Sequence, residues 1–461
     1  MPEPPLQPGQ VIPLHLASLA VGGEAVGRYR GAPCPSGDTA QGMAVFAMWG
    51  CPGDEAEVEI TEVAERFARG VVRRVITPSP DRVAPRCPHF GDCGGCQWQH
   101  IAYEAQLRHK TALVREALAR IGGLAEVEIG ETWGMEEQWA YRGRAEYHAG
   151  LDEAGRVVLG FARHHSHEIV ALKECQVQHP LIERIRTVLL SLLPRVAQTA
   201  QERAALLKLE TAVSFSENQA VATLVCDGRP AFVLSAAEAL MAEIPELSGV
   251  CAARQRGRGA ARRAPAELVA GSPYLTERLA ERSYRVGPDS FFQVNPQQAA
   301  RMLSLVQKWA GIGPSDIVVD AYCGVGTFLL PLSRAAKAGV GIESDEGALS
   351  DARTNVRKWG LPEVTLYRGR VEHVLARFVE RDFRPEVIVL DPPRKGCGPR
   401  VCEAAARLRP RRIILVSCHP ATLARDLKSL GEHGYAVRRV QPVDMFPQTW
   451  HVEAVGVCER G

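Results

Sequence analysis

The sequence lacks any segment that would place it in a membrane or export it from the cell. No uninterrupted apolar run approaches the roughly 18 residues that a helix needs to span a bilayer. The first ten residues are polar and rich in proline, without the basic and then apolar pattern of a secretory leader. We therefore expect a cytoplasmic protein that has no membrane partner.

The chain also has little net charge and no internal repeat. Its 55 basic residues face 53 acidic ones, a formal net charge of +2, so no field of the whole molecule attracts nucleic acid. Residues 66–120 nevertheless hold ten basic residues against four acidic ones: Arg66, Arg69, Arg73, Arg74, Arg82, Arg86, Arg108, Lys110, Arg115 and Arg120. Such a run fits contacts with phosphates, although solvated faces explain most charge runs.

At 461 residues the chain is too long for one hydrophobic core, which predicts two or three domains. Short apolar runs separated by turn residues, from position 10 to about 76, predict a small β-barrel. An oligonucleotide-binding barrel and any other small β domain fit this pattern about equally well. The proline-rich stretch 77–85 ends this unit.

From about residue 290 the chain alternates between strands and helices. The predicted strands are the short apolar runs at 317–320, 339–343, 364–367, 387–390 and 413–416. Strands separated by segments of helix length predict a mostly parallel sheet with helices on both faces. Ligands of such sheets bind at the carboxyl ends of the strands, where most of the chemically suggestive residues fall.

A glycine-rich turn follows the first of these strands. Gly324 and Gly326 let the backbone approach a ligand closely, and Glu343 at the next strand end can accept hydrogen bonds from both ribose hydroxyls. Nicotinamide enzymes and class I methyltransferases share this arrangement. Two features favour the methyltransferase: the turn lacks a third spaced glycine, and two prolines after Asp391 make that carboxylate a stiff acceptor. On its own, Asp391 would be a helix N-cap or a turn residue.

Cys418 lies just beyond the fifth strand, near the expected methyl end of the cofactor. Most cysteines are buried hydrophobes, but methylation at C5 of a uracil needs a thiolate to add to C6 and make C5 nucleophilic. A base must then remove the C5 proton, and a partly desolvated Glu453 suits that step. His451 is the rival base, or else a structural histidine. Phe446 and Trp450 are suited to stack on a flipped base.

Three of the 13 cysteines lie in one glycine-rich loop. The spacing of Cys87, Cys93 and Cys96 indicates a metal more strongly than any single cysteine does, and Cys175 is the plausible fourth ligand. Four thiolates suit either zinc or an iron–sulfur cluster, and the spacing does not decide between them. His89 leaves a Cys3His zinc site as a minority alternative.

Together these motifs resemble the RNA uracil-5-methyltransferases that carry a 4Fe-4S iron–sulfur cluster. The resemblance covers nearly the whole chain, through residues 87–100, 290–295, 320–328, 390–394, 416–426 and 444–453. It implies a multidomain α/β protein. We expect an OB-like TRAM barrel at 8–76, a central α+β domain with the cluster at 77–288, and a Rossmann-like class I methyltransferase domain at 289–461.

The resemblance also implies a role for individual residues. Cys87, Cys93, Cys96 and Cys175 correspond to the cluster ligands. Gln293, Tyr322, Glu343 and Asp391 correspond to contacts with S-adenosylmethionine and the uracil. Cys418 corresponds to the nucleophile and Glu453 to the base. The chain departs from the family at Thr327, where several relatives have asparagine, and at Arg370, which cannot accept a hydrogen bond from the adenine amino group.

Family members with a TRAM segment resemble the ribosomal RNA enzymes. The resemblance therefore favours 23S ribosomal RNA as the partner of a monomeric enzyme, with transfer RNA as the alternative. Two other classes compete with this interpretation. A radical enzyme typically has Cx3CxxC spacing, which differs from the spacing here, and a catalytically inactive RNA-binding scaffold would have no need of Cys418 and Glu453.

Overall fold

The computed structural model describes residues 6–31, 42–257 and 263–461. The first elements are β1 (Val11–Leu19), β2 (Ala25–Tyr29), β3 (Met43–Met48), β4 (Glu55–Val63) and β5 (Phe67–Thr77). They close into a barrel in the order β1-β2-β3-β5-β4. Buried and more exposed residues alternate along β1 and β3 because successive side chains of a strand point to opposite faces. The predicted N-terminal barrel is confirmed.

A loop containing three cysteines leads from the barrel to helix α1 (Tyr103–Ala117). The helix ends in a π-helical turn (Leu118–Gly122), and Gly123 follows with a φ of 66°. Val114 and Leu118 are fully buried in the same core as the C-terminal sheet. A short strand, β6 (Glu128–Ile129), comes next.

The central region is built on a sheet in the order β13-β12-β11-β10-β7-β8-β9. Its elements are β7 (Arg144–Leu151), β8 (Val157–Ala162), β9 (Ile169–Ala171), α2 (Pro180–Val196), α3 (Ala200–Ala205), β10 (Leu206–Ser214), β11 (Gln219–Cys226), α4 (Phe232–Glu243), β12 (Leu247–Arg254) and β13 (Glu267–Gly271). Helices α2 and α4 cover one face and enclose an apolar core. A hairpin of β14 (Leu275–Leu279) and β15 (Arg282–Val286) follows.

The C-terminal region contains α5 (Pro296–Ala310), β16 (Ile317–Ala321), α6 (Leu329–Ser333), β17 (Ala338–Glu343), α7 (Glu346–Trp359), β18 (Val364–Arg368), α8 (Val371–Glu380), β19 (Val387–Leu390), α9 (Pro399–Arg407), β20 (Arg412–Ser417), α10 (Pro420–Glu432), β21 (Tyr435–Val443) and β22 (Glu453–Arg460). Its sheet has the order β18-β17-β16-β19-β20-β22-β21-β6, and the strands from β18 to β20 are parallel. The predicted Rossmann-like domain is confirmed.

The strand order of this sheet determines where a ligand can bind. The chain runs outward from β16 to β18 and then returns to β19 on the other side of β16. A crevice forms at the carboxyl ends of strands where the order reverses in this way. No helix in the described ranges is both long and apolar enough to cross a bilayer. The domain limits given above remain a prediction.

Candidate active site

A cleft of about 1530 Å³ opens at the carboxyl ends of β16, β17, β19 and β20. The six residues expected to hold the cofactor and perform the chemistry all line it: Gln293, Tyr322, Glu343, Asp391, Cys418 and Glu453. Four of them stand at or just after the ends of parallel strands. Glu453 starts β22, which is antiparallel to β20 in a register that pairs Ser417 with Ala454, so its side chain lies at the same edge.

One end of the cleft is built around the glycine-rich turn. The Tyr322 backbone has a φ of 92°, which is rare outside glycine, and its N–H donates to the Ile342 carbonyl. Glu343 accepts hydrogen bonds from the N–H groups of Gly324, at 3.1 Å, and Asp345, at 2.8 Å. These bonds join the ends of β16 and β17 and hold the Glu343 carboxylate at the cleft wall.

Two carboxyl groups near this turn suit a positively charged ligand. Asp320 is fully buried at the end of β16, and neither of its oxygens has a hydrogen-bond partner among the described residues. Burial, and then the neighbouring Asp391 and Glu343, raise the pKa of Asp320 well above its ordinary value. Desolvation also raises the pKa of Asp391, to about 7. Asp391 is not a helix N-cap, because the next helix starts at Pro399 after Gly398.

Cys418 is half-buried and faces two carboxyl groups and one guanidinium. Burial, and then the Glu453 carboxylate, raise the pKa of Cys418 to about 11, whereas Arg394 lowers it. Burial and Asp391 raise the pKa of Glu453 to about 8. The structure therefore brings a thiol and a carboxyl group together at one side of the cleft, with Arg394 facing both.

An aromatic wall stands beside this pair. The rings of Trp450 and His451 lie 4.1 Å apart, and Phe446 meets His451 edge-on at 5.8 Å. Burial, and then Arg394, lower the pKa of His451 to about 3, so its ring is neutral. Of the two candidate bases, Glu453 therefore has the higher proton affinity, which favours it over His451.

One residue of the cleft, Phe291, was not identified from sequence. Phe291, two positions before Gln293, has 64% of its surface exposed and lines the cleft. An exposed phenylalanine in a cleft is unusual, but nothing in the sequence distinguishes it from its buried neighbour Phe292.

The structure also places the two positions that depart from the family pattern. Arg370 lines the cleft and pairs with Glu372 at 2.6 Å. The carbonyl of Thr327 accepts a hydrogen bond from the Tyr284 hydroxyl.

The cleft also carries cations without an ion-pair partner. Arg394 and Lys395 are exposed on the segment that leads into α9, and Arg400 is exposed in the first turn of that helix. The described residues provide no ion pair for any of them, nor for Arg142 on the opposite side. The charges of these side chains are available to an anionic ligand.

Most basic side chains of the run at 66–120, unlike these cations of the cleft, form ion pairs. Seven of its ten side chains pair with acids: Arg69 with Glu24, Arg73 with Glu59, Arg74 with Glu57, Arg82 with Asp54, Arg108 with Asp81, Lys110 with Asp444 and Arg120 with Glu116. Most of these acids lie outside the run in sequence. Ion pairs within the protein, several on solvated faces and the Lys110 pair buried, therefore explain this segment better than a continuous phosphate-binding surface.

The cysteine loop packs against the edge of the central sheet. The Gly94 N–H donates to the Ala162 carbonyl at 3.0 Å, and the Lys173 N–H donates to Nε2 of His89 at 2.9 Å. Burial, and then the Cys96 thiol, raise the pKa of Cys175, so Cys175 lies close to the loop. No three His, Cys, Asp or Glu side chains in the described parts of the chain are arranged to hold a metal ion. The cluster stays a prediction.

Comparisons with known proteins agree with this architecture. Residues 102–460 match the model of the tRNA (Uracil-5-)-methyltransferase family. The chain is 36% identical to an uncharacterized RNA methyltransferase of Gloeobacter violaceus, over 98% of this chain and 97% of that protein. It is 34% identical to another from Halalkalibacterium halodurans, over 91% of this chain and 92% of that protein.

Among solved structures, the chain resembles the Pyrococcus abyssi tRNA (uracil-54, C5)-methyltransferase in complex with S-adenosyl-L-homocysteine. The TM-score is 0.73 at 24% identity, covering 97% of this chain and 100% of that one. At this identity the likeness shows the fold. Because the family model spans most of the chain and relatives above 30% identity span nearly all of it, this chain belongs to the tRNA (uracil-5-)-methyltransferase family of S-adenosylmethionine-dependent RNA methyltransferases.

Proposed function

We propose that this enzyme methylates C5 of a uridine in RNA, with Cys418 as covalent nucleophile and Glu453 as general base. The observation that carries the proposal is the placement of this thiol and this carboxyl group in the same cleft as Tyr322, Glu343 and Asp391.

The cofactor end of the cleft suits S-adenosylmethionine. Glu343 would accept hydrogen bonds from its ribose, and the unpartnered carboxylate of Asp320 suits its positively charged methionine portion. Gln293 and Tyr322 would line the same site. When bound, S-adenosylmethionine supplies a methyl group on a sulfonium centre, which an electron-rich carbon can take.

Cys418 and Glu453 divide the rest of the chemistry. The Cys418 thiolate forms a bond to C6, and the electron pair of the C5–C6 double bond moves onto C5 and the oxygen of the C4 carbonyl, which makes C5 nucleophilic. Once C5 carries its methyl group, Glu453 takes the C5 proton. The electron pair of that C–H bond restores the C5–C6 double bond, and the C6–S bond breaks to release the thiolate. Arg394 offsets part of the rise that burial and Glu453 cause in the pKa of Cys418, and so favours the thiolate form.

The remaining wall residues would hold the RNA. The exposed ring of Phe291 and the ring of Phe446 offer faces on which an extruded uracil can stack. Arg394, Lys395 and Arg400 would contact the phosphates on either side of the target nucleotide, since no carboxylate in the described ranges neutralises them.

Tritium release from RNA labelled at C5 of uridine tests the proposal. We expect release with the wild-type enzyme and S-adenosylmethionine, and none with the Cys418→Ala variant or without the methyl donor. Release that is unchanged in the Cys418→Ala variant would remove this thiol from the mechanism.

We propose 23S ribosomal RNA as the substrate, on the basis of the N-terminal barrel and its likeness to a TRAM domain. The family name favours transfer RNA as the second candidate. The solved transfer RNA enzyme aligns over its whole length with nearly all of this chain, so the choice between the two substrates needs an experiment. Mapping 5-methyluridine in both RNAs from a deletion strain decides: loss from 23S ribosomal RNA supports the first candidate, and loss from transfer RNA the second.

The proposal includes a 4Fe-4S cluster on Cys87, Cys93, Cys96 and Cys175. Cys175 lies near Cys96 and Cys93, and Cys96 lies near Cys87, so the four thiols share one region, although their side chains are not arranged around a metal. Four thiols are a donor set that such a cluster takes, and the bond to Nε2 of His89 argues against that histidine as a zinc ligand. Iron and sulfide analysis after anaerobic purification tests it. Cys175→Ala should lose iron, and Cys226→Ala, a buried cysteine of the central sheet, should retain it. Zinc in place of iron would contradict the proposal.

A further inference from the structure

The loop that connects β21 to β22 carries one wall of the active site. Phe446 and His451 on this loop line the cleft, and Glu453 is the first residue after it. In the middle of the loop, Gln448 has a φ of 70°, a left-handed conformation that side-chain-bearing residues rarely adopt. Such a conformation persists only where the surrounding structure enforces it.

A buried ion pair holds the first turn of the loop. Nζ of Lys110 lies 2.5 Å from Oδ1 of Asp444, and both side chains are fully buried. Lys110 also donates to the Phe446 carbonyl at 3.0 Å, and the Tyr103 hydroxyl donates to Oδ2 of Asp444 at 2.8 Å. The two charges thus compensate one another, and Lys110 is bonded to the residues on both sides of Met445, Asp444 and Phe446.

A second set of bonds holds the strained residue itself. The side chain of Gln106 donates to Oε1 of Gln448 and accepts from the Gln448 N–H, both at 3.0 Å. The backbone N–H groups of Gln97 and Trp98 both donate to the Gln448 carbonyl, at 3.1 and 3.0 Å. Gln97 directly follows Cys96, so the cysteine loop is in contact with the loop between β21 and β22 (residues 444–452), hereafter the catalytic loop.

The three side chains from α1 share one helical face. Tyr103, Gln106 and Lys110 are spaced i, i+3 and i+7, so they project side by side. A buried helix face is ordinarily apolar, and replacing a buried ion pair by apolar residues is often neutral for stability or even favourable. Stability alone therefore does not account for a polar face at this position.

We propose that the polar face of α1 is a positioning device for the catalytic loop, with Lys110 and Gln106 as positioning residues. Their bonds hold the loop that carries Phe446 and His451 and leads into Glu453, whose backbone pairs with Val443 at the start of that loop. Cys418 stands on a separate element after β20. The inference rests on the proposed function. It implies that removing the bonds made by Lys110 and Gln106 impairs the step that needs Glu453 more than the step that needs Cys418.

The test is the double variant Lys110→Met/Asp444→Leu, which removes both buried charges at nearly constant volume. We expect a folded protein whose affinity for S-adenosylmethionine stays within about threefold, because the Glu343 end of the cleft is untouched. Single-turnover formation of 5-methyluridine should slow by about 10²-fold, the usual cost of displacing a catalytic group by an ångström. A covalent RNA–protein complex should accumulate on denaturing gels, as it should with Glu453→Gln, because C5 deprotonation is the impaired step.

Two further variants keep the inference falsifiable. Gln106→Met loses the bonds to Gln448 without disturbing a charge, and should slow the reaction about tenfold even if the double variant fails to fold. Arg82→Met is the control, since it removes an ion pair in the barrel; it should lower the melting temperature and leave the rate per folded molecule within about twofold.

The outcomes separate the two proposals. If the wild-type enzyme forms no 5-methyluridine, the proposed function fails and this inference fails with it. A second outcome is that the wild type is active and Glu453→Gln accumulates the covalent complex. If Lys110→Met/Asp444→Leu and Gln106→Met then lose only stability and keep the wild-type rate, the positioning role alone is overturned.

Discussion

The barrel and the cleft both carry many ionisable side chains, but the barrel pairs several of its arginines with acids, whereas several cations of the cleft have no ion pair among the described residues. On the barrel, Arg73 and Arg74 reach Glu59 and Glu57 on the neighbouring strand β4. At the cleft, Arg394 and Lys395 have no ion pair with any residue that the structure describes. The same residue types thus form ion pairs on a solvated surface in one region, and in the other they are available to bind an anionic ligand.

The difference shows that the density of charge along a sequence does not locate a nucleic-acid site. Antiparallel strands place side chains from distant positions opposite one another, and opposite charges there compensate. The cleft residues come from loops after parallel strands, which have no such facing partner. A free charge at a strand end is therefore the better indicator.

The thiols of the two regions give the largest expected contrast. Burial raises the pKa of Cys51 in the barrel to about 11, and burial followed by Glu453 raises that of Cys418 to the same value. Of these two thiols, Cys418 faces the cleft and Cys51 does not, so Cys418→Ala should lower the methylation rate by at least about 10⁴-fold. Cys51→Ala should leave that rate within about twofold. Equal losses in both variants, measured by tritium release, would mean that the regions do not differ in this way.

The cations give the next contrast. Arg394→Ala/Lys395→Ala/Arg400→Ala should weaken binding of single-stranded RNA by about 10²-fold and reduce the salt slope of log K by roughly 2, since each phosphate that a side chain neutralises adds about 0.7 to that slope. The matched pair Arg73→Ala/Arg74→Ala should change neither quantity appreciably, because both side chains are already paired. The measurement is fluorescence anisotropy over a series of salt concentrations. A loss of affinity in the barrel variant as large as in the cleft variant would reverse the assignment.

The carboxyl groups give the smallest contrast, in stability. Burial and Asp391 raise the pKa of Glu453 from 4.5 to about 8, so the stability it contributes is present below pH 4.5 and is lost as pH rises through 8. Glu453→Gln should therefore raise the melting temperature by several degrees at pH 8.5 and have little effect at pH 4.5. The measurement is scanning calorimetry at both values.

The pH dependence of stability should have the opposite sign for Asp54 in the barrel. Burial raises its pKa, but Arg82 and the N–H groups of Ser79 and Cys51 outweigh burial and hold that pKa below 3.8. The stability it contributes is present above pH 3.8 and is lost as pH falls through the folded-state pKa. Asp54→Asn should therefore destabilise the protein by roughly 3 kcal/mol at neutral pH. A stabilised Asp54→Asn variant, or a Glu453→Gln variant that is destabilised at pH 8.5, would contradict the comparison.

Much of the fold was predictable because its signals are local. The five parallel strands are short apolar runs, and the structure places them at the predicted positions to within about a residue. Cys418, Glu343 and Asp391 were found because each follows such a run, and strand ends meet at one edge of a parallel sheet. The barrel could be recognised from turn spacing, although its kind could not.

The rest depends on contacts between distant parts of the chain. The pairing of Lys110 with Asp444 joins residues 334 positions apart, and the addition of β6 to the C-terminal sheet joins the central segment to it. The exposure of Phe291 depends on which side of a loop faces the cleft. No periodicity in a single sequence carries this information.

The contact between the barrel and the catalytic loop bears on how small the enzyme can be made. Trp450 packs against the core of the barrel, and the Trp98 indole N–H donates to the Gly23 carbonyl at 3.0 Å. The family model starts only at residue 102, but a chain cut there would leave Trp450 beside open water and remove the support beneath it. We expect the shortest fragment that retains turnover to begin ahead of β1, so that the N-terminal barrel is part of the catalytic unit rather than a detachable accessory.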